Sequence, residues 1–293
     1  MREGNVESQR NWNKKQQRTG QAPEGFTDAS AAGNSSTFRG LGVEKCAKAH
    51  RGTKYEGSSM KEIEVYMAKF HSDKPLRNPM TVPDWLTPIQ VGAAITKERV
   101  AEVLDCCGDN ISDKNADYCE LTALYWIWKN RLCGDSGSRC RYFGLFHYRR
   151  WLDVSNAELQ KMADHDVDVV LPFPTVHEPD ISEHHARYVK ETDWAAVMQA
   201  LQELEPEYYA ACERIFSQEY LYNYNILIAK ADVLKAYCEW LFPVLERTEA
   251  LLLPEGGRRG DRYIGYLGEN LLTLYFMYHR ELNIVCTGRI MLT

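Results

Sequence analysis

Tyr142-Phe143-Gly144-Leu145-Phe146 offers no polar face to solvent, and His147-Tyr148-Arg149-Arg150 follows it without a break. A strand that is apolar on both sides must lie inside a sheet covered on both faces, and the sudden charge marks where the chain leaves the core. Asp166-Val167-Asp168-Val169-Val170-Leu171-Pro172 reads as a second buried strand, stopped by proline, and Tyr224-Asn225-Ile226-Leu227-Ile228 as a third. Ile63, Val65 and Met67 alternate with Glu62, Glu64 and Tyr66, the period of a first strand. Helical patterns lie between these runs. Asp117 and Glu120 have capping-box spacing ahead of Leu121, Leu124, Tyr125 and Trp128 on one helical face. Residues 193–204 predict a helix capped by Asp193, and 231–247 a helix kinked at Pro243. A last helix runs from the segment Asp261 to Glu269 on to His279, so that Glu269 falls near its start. The order of elements is α/β, without internal repeats.

Charge limits the partners. The 293 residues carry 35 Lys and Arg against 41 Asp and Glu, a net charge of −6, which argues against electrostatically driven nucleic-acid binding. Residues 1–59 hold ten Lys and Arg and six Asp and Glu with no apolar periodicity, and they predict a disordered tail. Removing that tail leaves 25 basic and 35 acidic residues in 60–293, a charge of −10 on the predicted folded domain. The abrupt change at Met60 favours a translation start there, with the upstream residues as leader; a functional basic arm is the alternative. No stretch approaches the roughly 18 apolar residues of a membrane span, and no signal-peptide core follows Met1, so the sequence reads as cytoplasmic. The nine cysteines are odd in number, include the adjacent Cys106 and Cys107 and nowhere stand as C-x-x-C, so they read as reduced packing residues.

In open α/β sheets ligands bind beyond the carboxyl ends of the strands, where His147, Tyr148, Arg149 and Arg150 are expected. A guanidinium fork there suits the paired oxygens of a phosphate or pyrophosphate, although surface ion pairs and a core histidine would use the same residues. The polar loop 108–116 offers Asp109, Asn110, Lys114 and Asn115 beside a helix start, where backbone N–H groups favour an anion or a ribose hydroxyl; an ordinary connection is the alternative. Glu269 at a helix start can serve as a general base or simply complement the helix dipole. Asp166-x-Asp168 has a D-x-D spacing able to hold Mg²⁺ or Mn²⁺, but it precedes its apolar run and so sits at the wrong end of the strand; Asp153 is better placed. His184 and His185 are adjacent and splayed, which suits surface residues rather than a chelate.

Taken together these segments resemble a known family. Ile89-Gln90-Val91-Gly92-Ala93, Gly108-Asp109-Asn110-Ile111-Ser112 with Lys114-Asn115, and the run from Tyr118 to Asn130 carry the resemblance. So do Gly144 to Arg150, Tyr222-Asn223-Tyr224-Asn225, Tyr237 to Pro243, and Arg262 to Glu269. The family is bacterial, occurs in capsular and exopolysaccharide loci and was long labelled only as a domain of unknown function. The resemblance spans Met60 to the C-terminus. It implies a GT-A-like, Rossmann-like nucleotide-sugar-binding sheet flanked by helices, and an inverting glycosyltransferase similar to galactofuranosyltransferases. The donor would be a UDP-sugar and the acceptor a glycan, lipid-linked or free, with the enzyme at the inner membrane surface in the first case. By matching position it implies Glu269, Arg149, Arg150 and His147 as catalytic residues. Asn110, Lys114, Asn115, Glu120, Tyr148, Asn223, Asn225 and Arg262 are then substrate-binding. His147-Tyr148-Arg149-Arg150 stands where a metal-binding D-x-D would be expected, which leaves Mg²⁺ or Mn²⁺ dependence open. A non-catalytic carbohydrate- or nucleotide-binding module is the competing class. A phosphoester hydrolase is a poorer fit, because no cluster of metal-ligating residues is spaced for it.

Overall fold

A computed structural model describes residues 62–133, 140–185 and 187–293, without the side chains of His184 and His185. The predicted disorder of 1–59 and the predicted start at Met60 lie outside the described residues, as do the side chains of the two adjacent histidines. The chain enters through β1 (Ile63–Lys69), β2 (Leu86–Gln90) and β3 (Val103–Leu104), followed by α1 (Asn115–Tyr118) and α2 (Leu121–Ile127). Next come β4 (Tyr142–His147), β5 (Arg150–Leu152), α3 (Asn156–Asp164), β6 (Val169–Pro172) and β7 (Thr175–Val176). Three helices, α4 (Ile181–His185), α5 (Glu191–Leu204) and α6 (Pro206–Phe216), lead to β8 (Tyr220–Leu221) and β9 (Leu227–Lys230). The last described elements are α7 (Ala231–Leu252), α8 (Tyr263–Tyr278), β10 (Ile284–Thr287) and β11 (Arg289–Met291).

The main sheet has the order β10-β6-β9-β4-β1-β2-β3, with β5 attached to β4 and β11 to β5. β1, β2, β3, β4, β6 and β10 run in one direction, and β9 lies antiparallel between β4 and β6. The apolar run in β4 is therefore central, flanked by β1 and β9, and Tyr142, Phe143, Leu145 and Phe146 are at most 1% exposed. Successive side chains of β1 serve opposite faces. Val65 and Met67 join Leu159 and Met162 of α3 in one core cluster, whereas Tyr66 meets Trp126 of α2 edge-on at 5.6 Å. Helices thus cover both faces, the arrangement a two-sided apolar strand requires. Gly144 permits the closest approach: a Cβ there would lie 2.7 Å from the Leu227 carbonyl oxygen in β9.

Several boundaries differ from the sequence expectation. Asp117 caps nothing, because it lies inside α1; Cys119, at φ 53°, separates α1 from α2, and the N-cap residue of α2 is Glu120, without a side-chain cap bond. Asp117 instead accepts backbone N–H groups of Arg259 (3.3 Å) and Gly260 (2.7 Å). Asp193 is the third residue of α5, behind Lys190 as N-cap, and its carboxylate holds Arg259 through two bonds of 2.6 and 2.9 Å. Tyr224 and Asn225, expected in a strand, precede β9 with φ of 74° and 50°. Pro243 lies within α7, which continues to Leu252. Cys107 is disulfide-bonded, so the expectation of reduced thiols throughout fails at that position. Among the described residues no helix is long and apolar enough to cross a membrane.

A Gly144→Val substitution should lower stability by about 1–3 kcal/mol, since the β4–β9 backbone pairing leaves no room for a side chain. The urea midpoint measures it; an unchanged midpoint would show that β9 can move away from β4.

Candidate active site

The parallel strands end around a cavity of about 530 Å³. β1 leads to Asp73 on its wall, β4 to His147, Tyr148, Arg149 and Arg150, and β6 to Thr175 and His177. The antiparallel β9 contributes the residues before it, Asn223 and Tyr224. Arg262, Gly265, Tyr266 and Glu269 come from the start of α8, and Cys119 and Glu120 from the break between α1 and α2. Cys119, Tyr224, Asn225 and Arg262 are four of the five non-glycine residues with positive φ among those described, and all four stand at or beside this cavity. Such left-handed backbone costs energy at a non-glycine residue, so its concentration in one place marks a geometry held by its surroundings.

The positive charge here is not tied up in ion pairs. Elsewhere Arg131, Arg141, Arg247, Arg258 and Arg259 each pair with a carboxylate. Among the described residues Arg149, Arg150 and Arg262 form no ion pair; Arg149 donates weakly to the Leu292 carbonyl (3.5 Å), and Arg262 donates to the Cys119 sulfur (3.3 Å). Arg150 lies over the Tyr224 ring, 4.3 Å from its centre. Burial and these three arginines push His147 down to about 3, so its imidazole is neutral. Its Nδ1 accepts the Arg149 backbone N–H at 3.3 Å, which places the ring proton on Nε2.

Three carboxyl groups share the cavity with these cations. Desolvation, with Glu120 nearby, pushes Glu269 up to about 8, against the opposing pull of the Tyr224 backbone N–H, Arg150 and Arg262. Glu120 is likewise raised by desolvation, although Asn225 donates to it at 2.8 Å. Desolvation also lifts Asp73 to about 6, where it accepts the Phe70 backbone N–H at 2.8 Å. A carboxyl that changes charge near neutral pH beside unpaired guanidiniums is the chemistry of a proton acceptor next to an anion site.

The structure gathers most of the residues singled out in the sequence and leaves others apart. Glu269, Arg149, Arg150, His147, Glu120, Tyr148, Asn223 and Arg262 line the cavity; Asn225 stands behind Glu120 as its hydrogen-bond donor. Asn110, Lys114 and Asn115 are not on its wall, and each has a structural partner. The Asn110 amide folds back on the Cys106 and Gly108 carbonyls, Lys114 pairs with Glu249, and Asn115 donates to the Cys119 carbonyl and the Thr122 hydroxyl. Glu269 sits in the second turn of α8, beyond the reach of the helix dipole, so the dipole alternative no longer accounts for it. Asp73, Thr175, His177, Tyr188 and Tyr266 went unrecognised. Only their positions after strand-like runs marked the first three, and those runs were short or interrupted by proline.

The metal ligands considered in the sequence do not fit a centre here. Asp166 and Asp168 precede β6, at the end away from the cavity, and both bind Lys230. Asp153 is absent from the cavity wall, and among the described residues no three His, Cys, Asp or Glu side chains cluster as ligands.

Against known families, residues 66–281 match the model of a domain of unknown function, DUF4422. The chain belongs to this family. A search of curated proteins gives no match. Among solved structures, the chain is similar to the WbbM bifunctional glycosyltransferase in its apo form, at 23% identity and a TM-score of 0.62. The likeness covers 79% of this chain and 45% of that one, so this chain spans less than half the length of that structure. It shows the fold, and the DUF4422 domain here is GT-A-like: a mostly parallel sheet between helices, with its cavity at the strands' carboxyl ends.

The raised carboxyl predicts a pH dependence of stability. The folded chain keeps the Glu269 proton up to about pH 8, whereas the ordinary carboxyl releases it at 4.5, so folding takes up a proton between those values. Stability should fall as pH rises through that window, and Glu269→Gln should flatten the fall. Melting temperatures from pH 5 to 9 measure both; identical profiles would mean that Glu269 is charged throughout.

Proposed function

We propose that the chain is a glycosyltransferase that moves a sugar from a nucleoside diphosphate-sugar to a hydroxyl of a glycan acceptor. The observation that carries this reading is the cavity's pairing of three guanidiniums without ion pairs with a desolvated, proton-accepting carboxyl pair on a GT-A-like sheet. The finer reading is a UDP-sugar donor, inversion at the anomeric carbon and a donor resembling galactofuranose. The acceptor belongs to capsular or other exopolysaccharide assembly or to O-antigen, lipid-linked or free, with transfer on the cytoplasmic side of the membrane.

Charge development directs the chemistry. As the bond from the anomeric carbon to the diphosphate oxygen breaks, negative charge grows on the departing diphosphate and positive charge on the sugar. Arg149, Arg150 and Arg262 stabilise the first, and because no carboxylate neutralises them they act with full charge. Neutral His147 offers its Nε2–H as a further donor. Glu269 accepts the proton of the attacking acceptor hydroxyl as the new glycosidic bond forms. Glu120 tunes it: a negative charge on one carboxyl of the pair holds the proton on the other. Asn223 and Tyr266 provide polar and aromatic surface for the sugars. No step is assigned to a metal.

Glu269→Gln should retain UDP binding and lose at least about 10²-fold in transfer, the range for removing a general base. Arg150→Ala should instead weaken UDP binding. Thermal stabilisation by UDP and by a panel of nucleotide sugars, with and without EDTA, together with product formation, measures both variants. Full transfer by Glu269→Gln would leave a non-catalytic binding module or another base, and absence of nucleotide binding by the unsubstituted chain would end the donor assignment. The transfer rate should also rise with pH toward about 8, as Glu269 loses its proton.

A further inference from the structure

Arg289 lies on β11, beyond residue 281 where the family match ends. β11 runs antiparallel to β5 with Arg289 opposite Leu152 and Met291 opposite Arg150. Directly opposed residues share a face, and diagonal neighbours two places along come within reach of long side chains, so Arg150 and Arg289 project from one face of the ribbon. They converge on a single ring. The Arg150 guanidinium lies 4.3 Å and that of Arg289 5.3 Å from the centre of Tyr224.

Among the described residues neither cation has an ion pair, and Nε of Arg150 and Nη1 of Arg289 are buried without a hydrogen-bond partner. A ring quadrupole attracts each cation separately but does nothing to cancel their mutual repulsion. Half-buried cations gathered on one ring repel each other until an opposite charge arrives. Tyr224 and Arg150 line the cavity, whereas Arg289 stands against the same ring without reaching its wall. The backbone that carries the ring is left-handed at both Tyr224 and Asn225.

We propose that Arg289 is a positioning residue of the nucleoside diphosphate site: it holds Tyr224 and Arg150 in place and adds positive charge behind them that the diphosphate neutralises on binding. This rests on the donor assignment made for the cavity above. It extends the anion site beyond the family-matched residues to a side chain that does not touch the cavity.

The test compares a charged and an uncharged ligand on the full chain: UDP and uridine, with affinities by calorimetry for the unsubstituted protein, Arg289→Met and Arg289→Lys. At a separation of several ångströms in a partly desolvated site, loss of one charge should weaken UDP roughly tenfold and leave uridine within about twofold. Arg289→Lys should recover part of the UDP affinity, and added salt should weaken UDP binding less steeply in Arg289→Met. A purely structural role would weaken both ligands together. If Arg289→Met does not fold, Arg289→Gln carries the same comparison. Unchanged UDP affinity, or equal losses for UDP and uridine, overturns the proposal while leaving the donor assignment intact. If the unsubstituted chain binds no UDP, the donor assignment fails first and this one with it.

Discussion

Asn225 joins the pieces on which the cavity depends. Its buried amide donates to Glu120 at the start of α2 and to the Gly265 carbonyl in the first turn of α8, while its own backbone lies two residues ahead of β9. Three segments distant in sequence are thereby fixed to one side chain. Gly268 completes the fit, since a Cβ there would press on Leu121 at 2.7 Å and on Asn225 at 3.3 Å. The backbone is left-handed at Tyr224 and Asn225; there the Tyr224 ring lies under Arg150 and its backbone N–H meets Glu269. A hydrogen-bonded, buried amide in strained backbone is costly to displace, which keeps this corner in one arrangement.

The cavity holds cations and carboxyls together without letting them neutralise one another. Arg262 is directed to the Cys119 sulfur, Arg150 to an aromatic face and Arg149 toward a backbone carbonyl, while Glu120 and Glu269 take an amide and a backbone N–H. Had the groups paired, the arginines would offer little to an incoming phosphate and the carboxyls would titrate low. Separation by rigid elements preserves both functions. The Arg259 network serves the same end from outside: its bidentate grip on Asp193, together with Asp117 on the backbone of Arg259 and Gly260, fixes the segment leading into Arg262.

The fold was largely legible because burial on both faces writes itself into a sequence. β4 followed from five apolar residues, and the charged cluster after it located the carboxyl end of the sheet and much of the site. Capping was misread because Asp117 and Asp193 carry cap-like spacing but are used for long-range contacts, and tertiary structure outweighs a local preference worth about 1 kcal/mol. The loop 108–116 misled for a related reason: Asn110 and Asn115 look like ligand donors in isolation but satisfy nearby backbone and side-chain groups. Asp73, Thr175 and His177 were faintly marked, because beyond their place after short or proline-interrupted runs nothing local distinguishes a polar residue that faces a cavity from one that faces water. Glu269 stands out in the sequence only as a carboxylate after a glycine-bracketed turn; the packing of α8 against the Asn225 corner is what shows why its proton is held so tightly.

The final described residues tie the rim together. The Thr293 carbonyl accepts the backbone N–H groups of Arg77 and Asn78, in the segment that follows Asp73, while Leu292 donates to the Arg149 carbonyl. The segment beyond Asp73 and the ribbon carrying Arg150 and Arg289 are in this way mechanically linked. A bulky donor that pushes against the segment beyond Asp73 would therefore strain the ribbon as well, so crowding at one side of the mouth is felt by the cations at the other.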